Sequence, residues 1–361
     1  MSNNSIELVI GMDMSDKKSE ICVLGMNGEV LKRDKVVNTI DGLDDFFSTF
    51  SEPSKVLVAM EAGTHSPWVS CYLTEIGLNV LVGNSRKLRA IWASEKKNDK
   101  RDAEMLARIA RMDRNLFYPI RHRGKRSQSM LAVIKAREAL VKSRTMLINS
   151  VRGMLKSMGI AIPKCSTQSF AATALETIPK EYHFGLLEMI DMIGKLSEKI
   201  NIYDRKVKIL CDKEFPETKI FSGISGVGPI TSLSFILTIE DPGHFRKSRD
   251  IGPFLGLVPK QDQSGEIDKQ LGISKAGNEL LRRLLVQCAQ YILGHFGPDC
   301  DLRRFGNKIA ARGGSAAKKK AIIAVARKLG VLMHQLWATG AEYDPFFNTN
   351  KKNRKNIKKV S

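Results

Sequence analysis

Four carboxylates occupy positions at which an acid can do chemistry. Asp13 ends the apolar run Leu8-Val9-Ile10-Gly11-Met12, and Glu61 ends Val56-Leu57-Val58-Ala59-Met60. Short apolar runs of this kind read as buried strands, which puts each acid at a strand's carboxyl end. If the two strands are neighbours in one sheet, the carboxylates emerge side by side. Asp99 and Asp102 lie three apart in a segment predicted as a helix over about Asp99 to Met112, and so share a face. Carboxylates brought together repel unless cations neutralise them, and hard oxygen ligands suit Mg²⁺ or Mn²⁺. Two such ions about 3.5–4 Å apart stabilise the attacking and leaving oxygens of an in-line phosphoryl displacement. Taken singly, each acid would serve equally as a strand-end cap, a salt-bridge partner or a solvated helix residue. Jointly, two strand-terminal acids beside apolar runs are unusual sites for exposed charge. Arg86, Lys87, Arg89, Lys96, Lys97, Lys100 and Arg101 precede or interleave with the aspartates, and Arg108, Arg111 and Arg114 follow. Acids within such a basic stretch suit a metal site facing a phosphate backbone.

The elements that must position these acids read as α/β over the first ~115 residues. Ile21 to Leu24 and Val30 to Val37 flank Asn27-Gly28, a dipeptide suited to a hairpin turn. A helix is expected over Asp41 to Phe50 with Asp41 as its cap. A helix around Trp68 to Ile76 and a strand at Val80-Leu81-Val82 follow. A three-strand meander and then alternating helix and strand is the order of a ribonuclease-H-like domain. The middle is helical. Leu186, Met189, Ile193, Leu196, Ile200, Tyr203, Val207 and Leu210 alternate in steps of three and four, as in a coiled-coil seam. Val133, Leu140, Leu147, Val151, Met154 and Met158 keep the same rhythm, with Arg137 and Arg144 interrupting it. Joined through Pro163 to Pro179, the two helices suit either an antiparallel pair within one subunit or a dimer interface. From about Phe221 a Gly- and Pro-rich region begins. Ile224-Ser225-Gly226-Val227-Gly228 before an apolar helix has the pattern of a helix-hairpin-helix, where Gly226 and Gly228 would let backbone N–H groups approach a phosphate; an ordinary Gly turn is the plain alternative. Helices are expected over Asn278 to Leu293 and Ala316 to Leu336. The tail Lys351 to Lys359 reads as a disordered arm for a polyanion.

The chain has 361 residues, 58 Lys+Arg against 38 Asp+Glu, a net charge of +20 and a pI near 9.7. Such an excess attracts a polyanion, most commonly nucleic acid. No apolar run approaches the ~18 residues of a membrane span, and no secretory signal opens the chain; a cytoplasmic setting is expected. Cys22, Cys71, Cys165, Cys211, Cys288 and Cys300 form no CxxC or CxxH pair, which gives little support to a zinc site.

Three blocks, Ile10-Gly11-Met12-Asp13, Met60-Glu61-Ala62-Gly63-Thr64 and Asn98-Asp99-Lys100-Arg101-Asp102-Ala103, resemble the acidic blocks of the DEDD-type insertion-sequence transposases of the insertion sequence 110/1111 group. The C-terminal half is similar too, in Ile224-Ser225-Gly226-Val227-Gly228-Pro229, Phe254-Leu255-Gly256-Leu257-Val258-Pro259, Ser264-Gly265, Ile273-Ser274-Lys275-Ala276-Gly277-Asn278 and Leu281-Arg282-Arg283. The resemblance covers nearly the whole chain in order. It implies a RuvC-like catalytic domain over 1–125, a helical coiled-coil region over 126–215 for linking or oligomerisation, a mostly α transposase domain over 216–345 and a basic tail over 346–361. It further implies a recombinase of donor and target double-stranded DNA, directed by a noncoding bridge RNA and working as a dimer or tetramer. Asp13, Glu61, Asp99 and Asp102 would bind the divalent metal, and Ser264 would be the nucleophile of a covalent phosphoserine link.

A serine hydroxyl needs a base or a metal to attack. No histidine lies near Ser264 in sequence, so the resemblance implies a composite site, within one subunit or between subunits, in which the carboxylate-bound metal activates it. A plain Ser-Gly turn is the structural alternative, and Ser225 and Ser274 are further serine candidates. Lys275, Arg282 and Arg283 suit phosphate contacts, which position DNA without reading bases, or are solvated helix residues. Three rivals remain: a RuvC-like junction resolvase without a covalent intermediate, an ATPase of the actin and sugar-kinase type, for which the later Gly-rich phosphate loops are not found, and a noncatalytic nucleic-acid-binding protein.

Overall fold

The computed structural model describes residues 5–92, 98–264 and 267–350, and of 89–92, 261–264 and 267–270 only the backbone. The chain divides into two compact units, Met1–Arg126 and Ser127–Ser361.

In the first unit the apolar runs become strands: β1 (Leu8–Met14), β2 (Lys18–Gly25), β3 (Val30–Val37), β4 (Val56–Glu61), β5 (Asn79–Gly83) and the short β6 (Pro119–Ile120). Their order in one sheet is β3-β2-β1-β4-β5-β6. The first three form an antiparallel meander, and β4 and β5 continue parallel to β1. Helices α1 (Ile40–Phe47), α2 (Ser66–Glu75), α3 (Ser85–Trp92) and α4 (Asp99–Met112) connect the later strands. Because successive strand residues alternate in direction, Ile10, Met12, Val58 and Met60 pack with Leu43, Phe46 and Phe47 of α1 and Val69 and Leu73 of α2. Val9, Cys22, Leu57 and Ala59 face the other way, onto Ala103, Leu106, Ala107 and Ala110 of α4. The cap of α1 differs from expectation. Thr39 fills it, accepting from Gly42 N–H at 3.2 Å, while Asp41 lies in the first turn. There its charge still complements the helix dipole.

The second unit is mostly helical: α5 (Lys125–Ser157), α6 (Phe170–Thr177), α7 (His183–Ile209), α8 (Pro229–Ile239), the single turn α9 (Ile251–Phe254), α10 (Glu279–Leu293), α11 (Asp301–Ala310) and α12 (Gly314–Thr339). Helices α5 and α7 run antiparallel within the chain, with Arg137 bound to Asp204 at 2.6 Å and Arg144 to Ser197 at 3.1 Å. The α7 seam is the expected one at Leu186, Ile193, Ile200 and Val207, with Ile190 and Ser197 buried in it where Met189 and Leu196 were expected, and the phase of α5 differs too. Its buried stripe is Leu131, Ile134, Arg144, Ile148, Val151 and Leu155, whereas Met154 and Met158 are exposed. Arg144 therefore lies inside the seam, where a heptad reading by hydrophobicity skips it. Its stem packs as an apolar group while one guanidinium nitrogen reaches Ser197.

A hairpin of β7 (Pro259–Ser264) and β8 (Ile267–Ile273) was not expected, because neither strand is an apolar or cleanly alternating run; backbone pairing holds it. Residues 351–361, most of the expected basic tail, lie outside the described residues. Among the described residues, no helix is long and apolar enough to cross a membrane.

Candidate active site

The register of four strands lines up one row of ionisable groups. Met12 of β1 pairs with Met60 of β4, so Asp13 and Glu61 are the next residues of adjacent parallel strands. On the other side Asp13 pairs with Glu20 of β2, and Glu20 with Lys35 of β3. Glu61, Asp13, Glu20 and Lys35 thus form a row across the sheet, in phase with the residues that face α4.

Helix α4 brings the remaining acids over this row. Asn98 caps it, accepting from Lys100 N–H at 3.1 Å, and Asp99 and Asp102 occupy the first turn. Carboxylates are favoured there by the dipole. Oxygens of Asp13, Asp99 and Asp102 lie within 4.8 Å of one another. Glu61 stands beside them on the neighbouring strand, outside that mutual distance. Asp13 and Asp102 are half-buried and Asp99 exposed.

Gly11 makes this approach possible. A Cβ at Gly11 would stand 1.9 Å from the Ala103 carbonyl oxygen and 2.6 Å from the Ala107 nitrogen. The helix backbone therefore rests directly on β1, two residues before Asp13. Arg33 of β3 fixes the same helix from the side, bonding Glu104 at 2.6 Å, and Arg108 binds Glu104 as well. Hydrogen bonds from Arg33 and then Arg108 hold the Glu104 carboxyl below its ordinary range.

The turn after Glu61 has its own support. Gly63 N–H donates to the buried Ser66 hydroxyl at 2.9 Å, and that hydroxyl lies 2.8 Å from His122 Nε2. Burial, and after it the charge of Arg123, pushes the His122 imidazole below its ordinary value.

The donor set suits a hard divalent cation. Opposite ligands of an octahedral Mg²⁺ stand roughly 4.2 Å apart, so oxygens within 4.8 Å reach one ion by small side-chain rotations. No cysteine or imidazole belongs to the cluster among the described residues.

In the second unit Gly256 and Gly277 are packing devices. Gly256, at φ +67°, leaves no room for a Cβ against Ala276, and Gly277, at φ +74°, leaves none against the Phe254 carbonyl. The Phe254–Leu257 and Ser274–Gly277 segments therefore meet backbone to backbone. Arg282 clamps both, donating to the Leu255 and Ala276 carbonyls at 3.0 and 2.8 Å. Its Nη1 thereby ties the two segments together. Arg283 pairs with Glu138 of α5. Lys275 is exposed, at φ +53°. Gly226, at φ +84°, lies against Tyr291 of α10, which accounts for this glycine by packing; Gly228 is open at the start of α8, where no side chain caps the helix. Ser264 is the last residue of β7, paired with Ile267. The following Gly265 and Glu266 lie outside the described residues.

A family model described as Transposase, for the DEDD-type IS110 group, matches residues 10–160, and so spans all four acids. A second, described as Transposase IS116/IS110/IS902 family, matches residues 218–303. The chain belongs to the IS110 family of transposases. This transposase is 28% identical over 295 residues to the transposase for insertion sequence element IS1111A of Coxiella burnetii, covering 80% of this chain and 78% of the relative. It is 29% identical over 289 residues to the IS1328 transposase of Yersinia enterocolitica, covering 78% and 83% respectively. A pilin gene-inverting protein of Moraxella lacunata is 27% identical over 158 residues, 43% of this transposase and 48% of the relative.

Sequence reasoning missed Glu20, Lys35, Ser66 and His122. Glu20 had a signal: it immediately precedes the apolar stretch Ile21-Cys22-Val23-Leu24, as a charged residue on a strand otherwise largely buried. Lys35 and His122 had none, because only register and loop packing bring them to the site.

Proposed function

We propose that this transposase cuts and rejoins double-stranded DNA by metal-dependent phosphoryl transfer at Asp13, Glu61, Asp99 and Asp102, in a RuvC-like first unit. The observation that carries this reading is the convergence of Asp13, Asp99 and Asp102 to within 4.8 Å, beside Glu61 in the sheet, from three separate stretches of sequence. Mg²⁺ or Mn²⁺ bound there would supply charge stabilisation at the phosphate and a polarised oxygen nucleophile. The protein's part is to hold the carboxylates converged, through Gly11, the Asn98 cap and the Arg33–Glu104 pair.

Ser264 is the proposed nucleophile: its hydroxyl oxygen would attack a backbone phosphorus, the bond from phosphorus to one deoxyribose oxygen would break, and that oxygen would leave as a hydroxyl while the other DNA end stays linked as a phosphoserine ester. Lys275 and Arg283, with the open backbone at Gly228, are proposed contacts to the phosphate backbone. A bridge RNA is the proposed source of sequence choice. The helical region of about 126–215 is proposed to join copies into a dimer or tetramer, a reading supported by exposed Phe184, Leu187 and Met192 on α7. The Moraxella relative's name, a gene-inverting protein, fits DNA rearrangement by breakage and rejoining.

The test uses end-labelled DNA carrying an element end, with Mg²⁺, resolved on denaturing gels with and without protease. Asp13→Asn should abolish cleavage while retaining DNA binding. Ser264→Ala should abolish the protease-sensitive adduct. Undiminished cleavage in Ser264→Ala with no adduct in the wild type would replace the recombinase with a resolvase-like nuclease. Undiminished cleavage in Asp13→Asn would end the metal-site reading.

A further inference from the structure

The row of charges across the sheet contains two residues that the four-acid site does not use. Glu20 lies directly across from Asp13 in the antiparallel pairing of β1 and β2, with its side chain only 16% exposed. It would be a fifth carboxylate at the cluster, but Lys35 of β3 binds it, Nζ to Oε1, at 2.5 Å. The Lys35 side chain is 57% exposed, so its ammonium stands at the solvent mouth of the row. Hydrogen bonding to Glu20 chiefly, with the Glu20 charge and more weakly that of Asp99 added, raises the Lys35 pKa above the ordinary lysine value, so the ammonium stays charged.

The neighbouring cation on the same face shows what a purely structural role looks like. Arg33, two residues earlier on β3, is spent on α4: it binds Glu104 at 2.6 Å and reaches the Lys100 carbonyl at 3.5 Å. Lys35 makes no such brace to the helix. Glu20, the strand partner of Asp13, occupies one direction of a three-donor ammonium, which leaves the others for a further partner. An ammonium acts there as a point charge suited to a phosphate oxygen.

We propose that Lys35 contacts a non-bridging oxygen of the DNA phosphodiester held at the acid cluster, and that Glu20 is the positioning residue that aims it. The inference rests on the reading of the acid cluster as the DNA-cleaving site. Glu20 is neutralised by its own lysine, which leaves the other four acids to the divalent cation. The scissile phosphate is then gripped from the β3 side by a fixed positive charge.

The experiment uses the full chain and the labelled element-end DNA, with cleavage rates in Mg²⁺ and binding of a short fluorescent duplex over a salt series. Lys35→Met should lower cleavage at subsaturating DNA by roughly tenfold or more and reduce the slope of log affinity against log salt by about 1. Lys35→Arg should restore most of both. Glu20→Gln should leave the salt slope near wild type but lower the rate at saturating DNA, since the ammonium remains but is no longer aimed. The charge swap Glu20→Lys with Lys35→Glu keeps an ion pair and removes the cation from the rim; it should melt near the wild-type temperature and lose cleavage. Wild-type rate and slope in Lys35→Met, with Asp13→Asn inactive, would overturn this inference and leave the metal-site reading intact. So would losses that follow melting temperature across all four variants. Activity surviving in Asp13→Asn would instead remove the reading beneath it.

Discussion

Ser66 and His122 act at the turn that follows Glu61, and their chemistry gives the site a pH dependence away from the acids themselves. The Ser66 hydroxyl is buried, accepts from Gly63 N–H, donates to the Gly63 carbonyl and lies beside His122. Burial first, then Arg123, disfavours the imidazolium in the folded state. An unfolded histidine takes up its proton near pH 6.5. Because the folded pKa is lower, the unfolded chain binds the proton first as pH falls, and stability drops from about 6.5 downward until the folded group protonates too. Urea midpoints measured between pH 7.5 and 5 should fall more steeply for the wild type than for His122→Gln, which keeps a hydrogen-bonding group without the titration. Parallel curves would mean that His122 is not protonated differentially.

At the scale of elements, the contact that matters most is α4 on β1. Three alanines of α4, Ala103, Ala107 and Ala110, allow the helix backbone to touch the strand. A methyl at Gly11 has no flexible neighbour to displace, since Ala103 and Ala107 present backbone. Gly11→Ala should therefore cost about 1–3 kcal/mol of stability as overpacking. It should also lower cleavage further than the stability loss accounts for, because lifting α4 carries Asp99 and Asp102 away from Asp13. Calorimetry and cleavage assays on the same preparation separate the two effects; a destabilised protein with full specific activity would show that the acids do not need this approach. In the second unit, Gly256, Gly277 and Arg282 play the comparable part, locking two loop segments that the sequence presents only as glycine motifs.

The whole molecule carries a net charge of +20, and several of its 58 cations are engaged within the protein. Arg33, Arg108, Arg137 and Arg304 are in ion pairs, Arg282 donates to two backbone carbonyls, and Arg144 is buried. Exposed pairs of this kind contribute little to stability individually, but they lower the number of cations that can release counterions. Affinity for duplex DNA should fall steeply with salt, each neutralised phosphate adding roughly 0.9 to the slope. The slope should be unchanged in Asp13→Asn measured without divalent metal, since that residue is no phosphate contact. A shallower slope in this variant would mean that the substitution disturbs the surface and not only the acid cluster.

Local sequence determined the strands of the first unit, the acids at their ends and the helix that bears Asp99 and Asp102. These follow from apolar periodicity and chain order, which are properties of neighbouring residues. The α7 stripe was legible for the same reason. The phase of α5 was not, because an arginine whose stem is buried is invisible to a hydrophobicity pattern. The β7–β8 hairpin escaped because its polar strands are held by backbone pairing, which side-chain types do not encode. Tertiary structure alone decided that Glu20 and Lys35 complete the row beside Asp13, and that Gly11 seats α4. Strand register and the distance between two backbones depend on residues far apart in the chain, and no local pattern reports them.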